Sequence, residues 1–117
     1  METKIVIAGD VVVSYRHADE LKATVVDEKI AQIIKESDYS LVNFEAPVRT
    51  KYSNPIIKSG SNLSQSAEVI DLMKQVGFRC FTLANNHFRD FGHDACENTL
   101  VLLQAKSIDK VGGVILS

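Results

Sequence analysis

The stretch Phe81-Thr82-Leu83-Ala84-Asn85-Asn86-His87-Phe88-Arg89-Asp90-Phe91-Gly92 begins as a buried strand and runs into two amides, an imidazole and a carboxylate. Groups that bind metals and move protons thus sit where a strand stops and a loop begins, which is where α/β proteins bind ligands. Two upstream segments end the same way. Ile5-Val6-Ile7-Ala8 is a β-branched run that reads as a strand buried on both faces and ending near Gly9-Asp10. Tyr39 to Phe44 reads as a second strand, with Asn43 near its end and Glu45 just beyond it.

Between these strands the apolar residues recur at helical spacing. Val26, Ile30, Ile33 and Ile34 mark a helix over Asp27 to Ser37, which Asp38 breaks. Ser66 is placed to cap a second helix, with Glu68 in its first turn, an apolar stripe of Val69, Leu72, Met73 and Val76, and Gly77 as its stop. Phe78 to Leu83 is the third strand. Asp94 to Ala105 is a third helix with Cys96, Thr99, Leu100 and Leu103 inward, and Lys110 to Ile115 is the fourth strand. All of these stripes read as core. The order βαβαβαβ predicts an α/β fold: a four-stranded, mainly parallel sheet with right-handed crossovers and helices on its faces. The loop over residues 46–63 is too long for a plain connector and is expected either to cover a site or to be partly disordered.

The 117 residues suit a single α/β domain spanning 1–117, with ordinary hydrophobic (45%) and charged (24%) content. The net charge of −2 gives no general reason to bind nucleic acid or acidic membranes. The N-terminus shows no signal-peptide pattern and no apolar run approaches a bilayer span, so a cytoplasmic location without a transmembrane segment is expected. Cys80 and Cys96 lack zinc-site spacing and read as buried, reduced thiols.

In a parallel sheet the strand ends share one edge. Asp10, Asn43, Glu45, Asn85, Asn86 and His87 therefore converge as two carboxylates, three amides and one imidazole. This donor set suits Mg²⁺, Mn²⁺, Fe²⁺ or Zn²⁺. Singly, each residue has a structural explanation: Asp10 and Asp90 as turn or cap residues, Asn85 and Asn86 as loop backbone partners, His87 as a hydrogen-bonded structural histidine. Glu45 is harder to explain away, since a carboxylate beside buried Phe44 needs partners. Arg49, Lys51 and Lys58 with Ser59-Gly60-Ser61 fit either an anionic substrate, small molecule or polymer, or an ordinary solvated loop. His17 and His93 read as surface residues.

Ile7-Ala8-Gly9-Asp10, Asp38-Tyr39-Ser40-Leu41-Val42-Asn43-Phe44-Glu45-Ala46-Pro47, and Leu83-Ala84-Asn85-Asn86-His87 with Asp90-Phe91-Gly92 resemble the bacterial CapA family. That family is linked to capsule and poly-γ-glutamate synthesis, in a membrane-associated setting, and is related to calcineurin-like metallophosphoesterases. The resemblance is collinear and covers almost the whole chain. It implies that Asp10, Glu45 and Asn86 are metal ligands, that His87 is a general acid or a donor to a phosphoryl group, and that Asn43, Asn85 and Asp90 support them. It also implies hydrolase chemistry with a divalent metal, and half of a metallophosphoesterase sandwich as the fold.

The chain departs from the pattern at Val12, where superfamily enzymes carry a histidine, and at Ala46 and Ser64. CapA-like proteins are longer, so the chain resembles their N-terminal half, lacks the second-half histidine motifs, and is expected to be weakly active or inactive alone. Self-association or a missing C-terminal half is the expected partner. A non-catalytic binding or assembly module on the same fold is the alternative. Dinucleotide binding is disfavoured, because Gly9-Asp10-Val11-Val12-Val13-Ser14 lacks the glycine pattern a pyrophosphate needs.

Overall fold

Seven elements follow one another as expected: β1 (Ile5–Val11), α1 (Glu28–Glu36), β2 (Tyr39–Phe44), α2 (Ala67–Val76), β3 (Cys80–Thr82), α3 (Gly92–Ala105) and β4 (Asp109–Val111). They are taken from a computed structural model that describes residues 1–13 and 26–113. His17 and the expected end of the fourth strand, Val114 and Ile115, lie outside the described residues. All strands are parallel, in the order β1-β2-β3-β4. Right-handed crossovers between sequential neighbours put successive helices on the same face of a sheet. The core lies on that face, where Val42, Phe44 and Phe81 meet Ile34, Val69, Ile70, Met73, Cys96 and Leu103. Phe44 and Phe81 stack at its centre with ring centroids 5.3 Å apart.

The sheet is less enclosed than the sequence suggests. On its opposite face Ile5, Ile7 and Val111 are exposed, Ile7 at 78%. There the Tyr39 hydroxyl, donating to Asp109 Oδ2 at 2.6 Å, ties β2 to β4. The expectation that β1 is buried on both faces is therefore corrected: it is an edge strand whose Val6, Ala8 and Val11 turn toward the core. The apolar stripe of α1 is corrected likewise. Ile34 is buried, but Ile30 and Ile33 are exposed, the latter at 56%. They line an apolar groove of about 650 Å³ with Val6, Ala8, Met73 and Phe78, because α1 stands off from β1 and leans on α2.

Local chemistry fixes the element ends. Asp27 caps α1 by accepting from Lys29 N at 2.9 Å. Gly77 ends α2 with φ of 122°, a conformation that favours glycine, and its N–H bonds the carbonyls of Met73 and Lys74. Ser66 stands at the N-cap of α2 as expected, yet its hydroxyl makes no capping bond and is buried without a partner among the described residues. Cys80 and Cys96 are free and buried.

β1 does not stop at Gly9. Ile7 pairs with Leu41 but Asp10 pairs with Asn43, so β1 spends one extra residue, a bulge, between them. Strict alternation would set Gly9 opposite Asn43 and turn Asp10 toward the core beside Phe44. The bulge instead puts Asp10 on the open face, level with Asn43. A methyl group at Gly9 would meet no described atom within 4 Å, and the residue has no positive φ, so the extra residue matters and its identity does not. Replacing Gly9 by Ala is expected to change the unfolding free energy by less than about 1 kcal/mol, whereas Phe81→Ala is expected to cost about 3–5 kcal/mol. Urea denaturation followed by circular dichroism reads both.

Candidate functional site

The strand ends carry one connected polar cluster with Asn43 at its centre. Asn43 Nδ2 donates to Asp10 Oδ1 at 2.7 Å and to Glu45 Oε2 at 2.5 Å. Its Oδ1 accepts from Thr82 Oγ1 at 3.0 Å and from Asn85 Nδ2 at 3.3 Å. Every donor and acceptor position points at a neighbour, so the side chain has one orientation. Both carboxylates consequently lie within a hydrogen bond of the same nitrogen.

Asn85 links this cluster to the turn that follows β3. Its Nδ2 also donates to Phe44 O at 2.9 Å, and its Oδ1 accepts from His87 N at 3.1 Å. Asn86, beside it in the turn, is exposed. The His87 ring is then held by Asp90: Nδ1 lies 2.6 Å from Asp90 Oδ2. An ionised carboxylate only accepts, so Nδ1 carries the proton and Nε2 of the neutral ring is the acceptor.

Asp90 is buried and anchors the long loop to the site. Lys58 forms an ion pair with its Oδ1, Leu63 N donates to its Oδ2 at 2.7 Å, and Ile56 N donates to its backbone carbonyl at 2.8 Å. Through these bonds residues 56–63 of the long loop are tied to the turn after β3. Burial pushes the Asp90 carboxyl toward a higher pKa, but the bonds from Lys58, His87 and Leu63 outweigh it, and the net shift is below the ordinary 3.8. Lys58 Nζ also lies 3.5 Å from His87 Nδ1. Arg49 lies elsewhere along the loop, stacked 5.2 Å above the Phe91 ring. His93 is exposed and pairs with Glu97 at 3.6 Å, as a surface residue does.

The two carboxylates are oxygen donors of the kind a divalent ion takes, whereas Asn43 turns its Nδ2 toward them and Asn85 Oδ1 is taken by His87 N. Among the described residues no three His, Cys, Asp or Glu side chains lie together as a metal-holding group. Two participants escaped the sequence reading. Thr82 sits on the Asn43 face of β3 and looked like any strand threonine. Gln65 sits before the cap of α2 and carried no motif, yet it is fully buried and bonds both strand ends.

The family described as bacterial capsule synthesis protein PGA_cap matches residues 4–115. The capsule biosynthesis protein CapA of Bacillus anthracis is 30% identical over 112 residues, 91% of this chain and 27% of that protein. The PGA biosynthesis protein CapA of Bacillus subtilis (strain 168) is 29% identical over 83 residues, 71% of this chain and 22% of that protein. The chain thus spans about a quarter of the length of the curated relatives it matches. Among the described residues no helix is long and apolar enough to cross a membrane.

A carboxyl whose pKa falls on folding contributes stability that is complete above its unfolded value and disappears as pH drops through its folded value. Stability is therefore expected to fall below about pH 4 with a contribution from Asp90. In Asp90→Asn the protein is expected to be less stable at pH 7 and to lose less on acidification. Thermal melts from pH 7 to pH 3 check this; an unchanged acid slope contradicts it.

Proposed function

This chain belongs to the bacterial capsule synthesis protein PGA_cap family, and we propose that it carries part of a divalent-metal site for chemistry on a phosphoryl or similar anionic group in capsule or poly-γ-glutamate synthesis. The observation that supports the reading most is the pair of carboxylates, Asp10 and Glu45, bonded to one Asn43 nitrogen. Two anions brought that close want a cation between them, and the amide N–H₂ that bridges them supplies only a partial positive charge.

In this reading Asp10 and Glu45 hold the ion, with Asn86 on the neighbouring turn as a further oxygen ligand. Mn²⁺, Mg²⁺, Fe²⁺ and Zn²⁺ all accept such donors. The ion supplies charge for a phosphoryl oxygen. The protein's own groups do the rest. Asp90 fixes the His87 tautomer so that Nε2 is the nitrogen that takes up a proton and returns it to a leaving oxygen. Lys58 offsets the Asp90 charge and ties the loop to the turn that carries His87. Asn43 and Asn85 keep the parts in register.

A second reading is a binding or assembly module that keeps the fold without turnover. It is favoured by the Asn43 amide, which already bridges Asp10 and Glu45 and closes the cluster with protein groups alone. Calorimetry with Mn²⁺ and hydrolysis of p-nitrophenyl phosphate separate the two. Asp10→Asn and Glu45→Gln are each expected to weaken Mn²⁺ binding at least about tenfold. His87→Ala is expected to lower Mn²⁺-stimulated turnover by about 10²-fold or more with the affinity kept. Unchanged affinity in both carboxylate variants removes the metal site; binding without any turnover leaves the module.

A further inference from the structure

We infer that Gln65 is the positioning residue that sets the distance between Asp10 and Glu45. The inference deepens the metal reading and rests on it for one of its two tests. Gln65 has 0% exposure, yet it is a polar side chain from the loop that precedes α2. Its Oε1 accepts from Val13 N at 2.9 Å, and its Nε2 donates to Val11 O at 3.1 Å and to Ala46 O at 3.1 Å. Its own N–H donates to Pro47 O at 2.9 Å. Val11 follows Asp10 and Ala46 follows Glu45. One side chain therefore grips the backbone immediately after each carboxylate.

The need for such a grip comes from the bulge. Past it, β1 pairs with β2 at only two positions, Asp10 with Asn43 and Val11 with Phe44. β1 is an edge strand, so among the described residues no strand holds it from the other side. Glu45 N reaches Val11 O at 3.2 Å, and beyond that point the ladder stops. Gln65 takes over there. An amide is the group that does this, because it offers two N–H donors for the Val11 and Ala46 carbonyls and an oxygen for the Val13 N–H. A carboxylate lacks the donors and an aliphatic side chain lacks everything, leaving the Ala46 carbonyl buried without this partner. The carboxylates would keep their chemistry and lose their spacing.

The test compares Gln65→Leu with Leu103→Ala, a change at an equally buried position on the C-terminal half of α3. The first readout needs no metal: the side-chain amide resonances of Asn43, which bridges Asp10 and Glu45, in ¹⁵N-labelled protein. They are expected to shift in Gln65→Leu and to stay in place in Leu103→Ala. The second readout is Mn²⁺ affinity in calorimetry, expected to fall about tenfold or more in Gln65→Leu and to hold in Leu103→Ala. Should Gln65→Leu not fold, Gln65→Glu, which keeps the shape and the acceptor, is expected to give the same two changes. Asn43 resonances that ignore the Gln65 substitution, or that move equally in Leu103→Ala, overturn the inference. If Asp10→Asn leaves Mn²⁺ affinity unchanged, the metal reading fails and the Asn43 resonances alone decide the role of Gln65. If Asp10→Asn abolishes binding while Gln65→Leu does not, the metal reading stands and the positioning role falls.

Discussion

A single extra residue in β1 decides where Asp10 points. Side chains alternate along a strand, so one inserted residue exchanges the faces of everything after it. Ahead of the bulge, Val6 and Ala8 pack toward the helices; after it, Val11 does, and Asp10 is delivered to the open face opposite Asn43. Without that exchange an ionised carboxylate would be driven into the apolar layer around Phe44, at a cost of several kcal/mol or more. Asn43 then reads the result: its amide can touch Asp10 and Glu45 together only because both lie on its own side of the sheet.

From that contact the rest of the site follows as a chain of bonds. Asn43 meets Asn85, Asn85 meets the backbone of His87, His87 meets Asp90, and Asp90 draws in Lys58 and Leu63 from the long loop. Beneath it lies the stacked Phe44–Phe81 core. The open face of the sheet ends in this same cluster. Its exposed Ile5, Ile7 and Val111 are unusual for a parallel sheet, which is ordinarily covered on both sides.

Much of this was legible from residue spacing. The four strands, the three helices and their parallel order follow from periodicity, and so does the expectation that Asp10, Asn43, Glu45, Asn85, Asn86 and His87 share one edge, of which Asp10, Asn43, Glu45 and Asn85 are joined side chain to side chain. What escaped was tertiary. The Gly9-Asp10 interruption looked like a strand end, because a bulge and a terminus leave the same mark on a short apolar run. The stripe of α1 looked like core, since spacing shows which residues share a face and not whether anything lies against it. Gln65 and Thr82 are ordinary polar residues whose partners lie 19 and 39 positions away and beyond, so only the folded chain brings them to the site. The family resemblance implies a supporting role for Asp90, and the structure shows its carboxylate bonded to the His87 ring and to Leu63 N of the loop.

The most direct measurement is anomalous diffraction at the manganese edge from crystals of this chain grown with Mn²⁺. The expected result is a peak within about 2.0–2.6 Å of one oxygen from Asp10 and one from Glu45, with the Asn43 amide displaced or rotated to admit it. A map with no peak there, or a peak that touches neither carboxylate, contradicts the assignment of the strand-end cluster as a metal site.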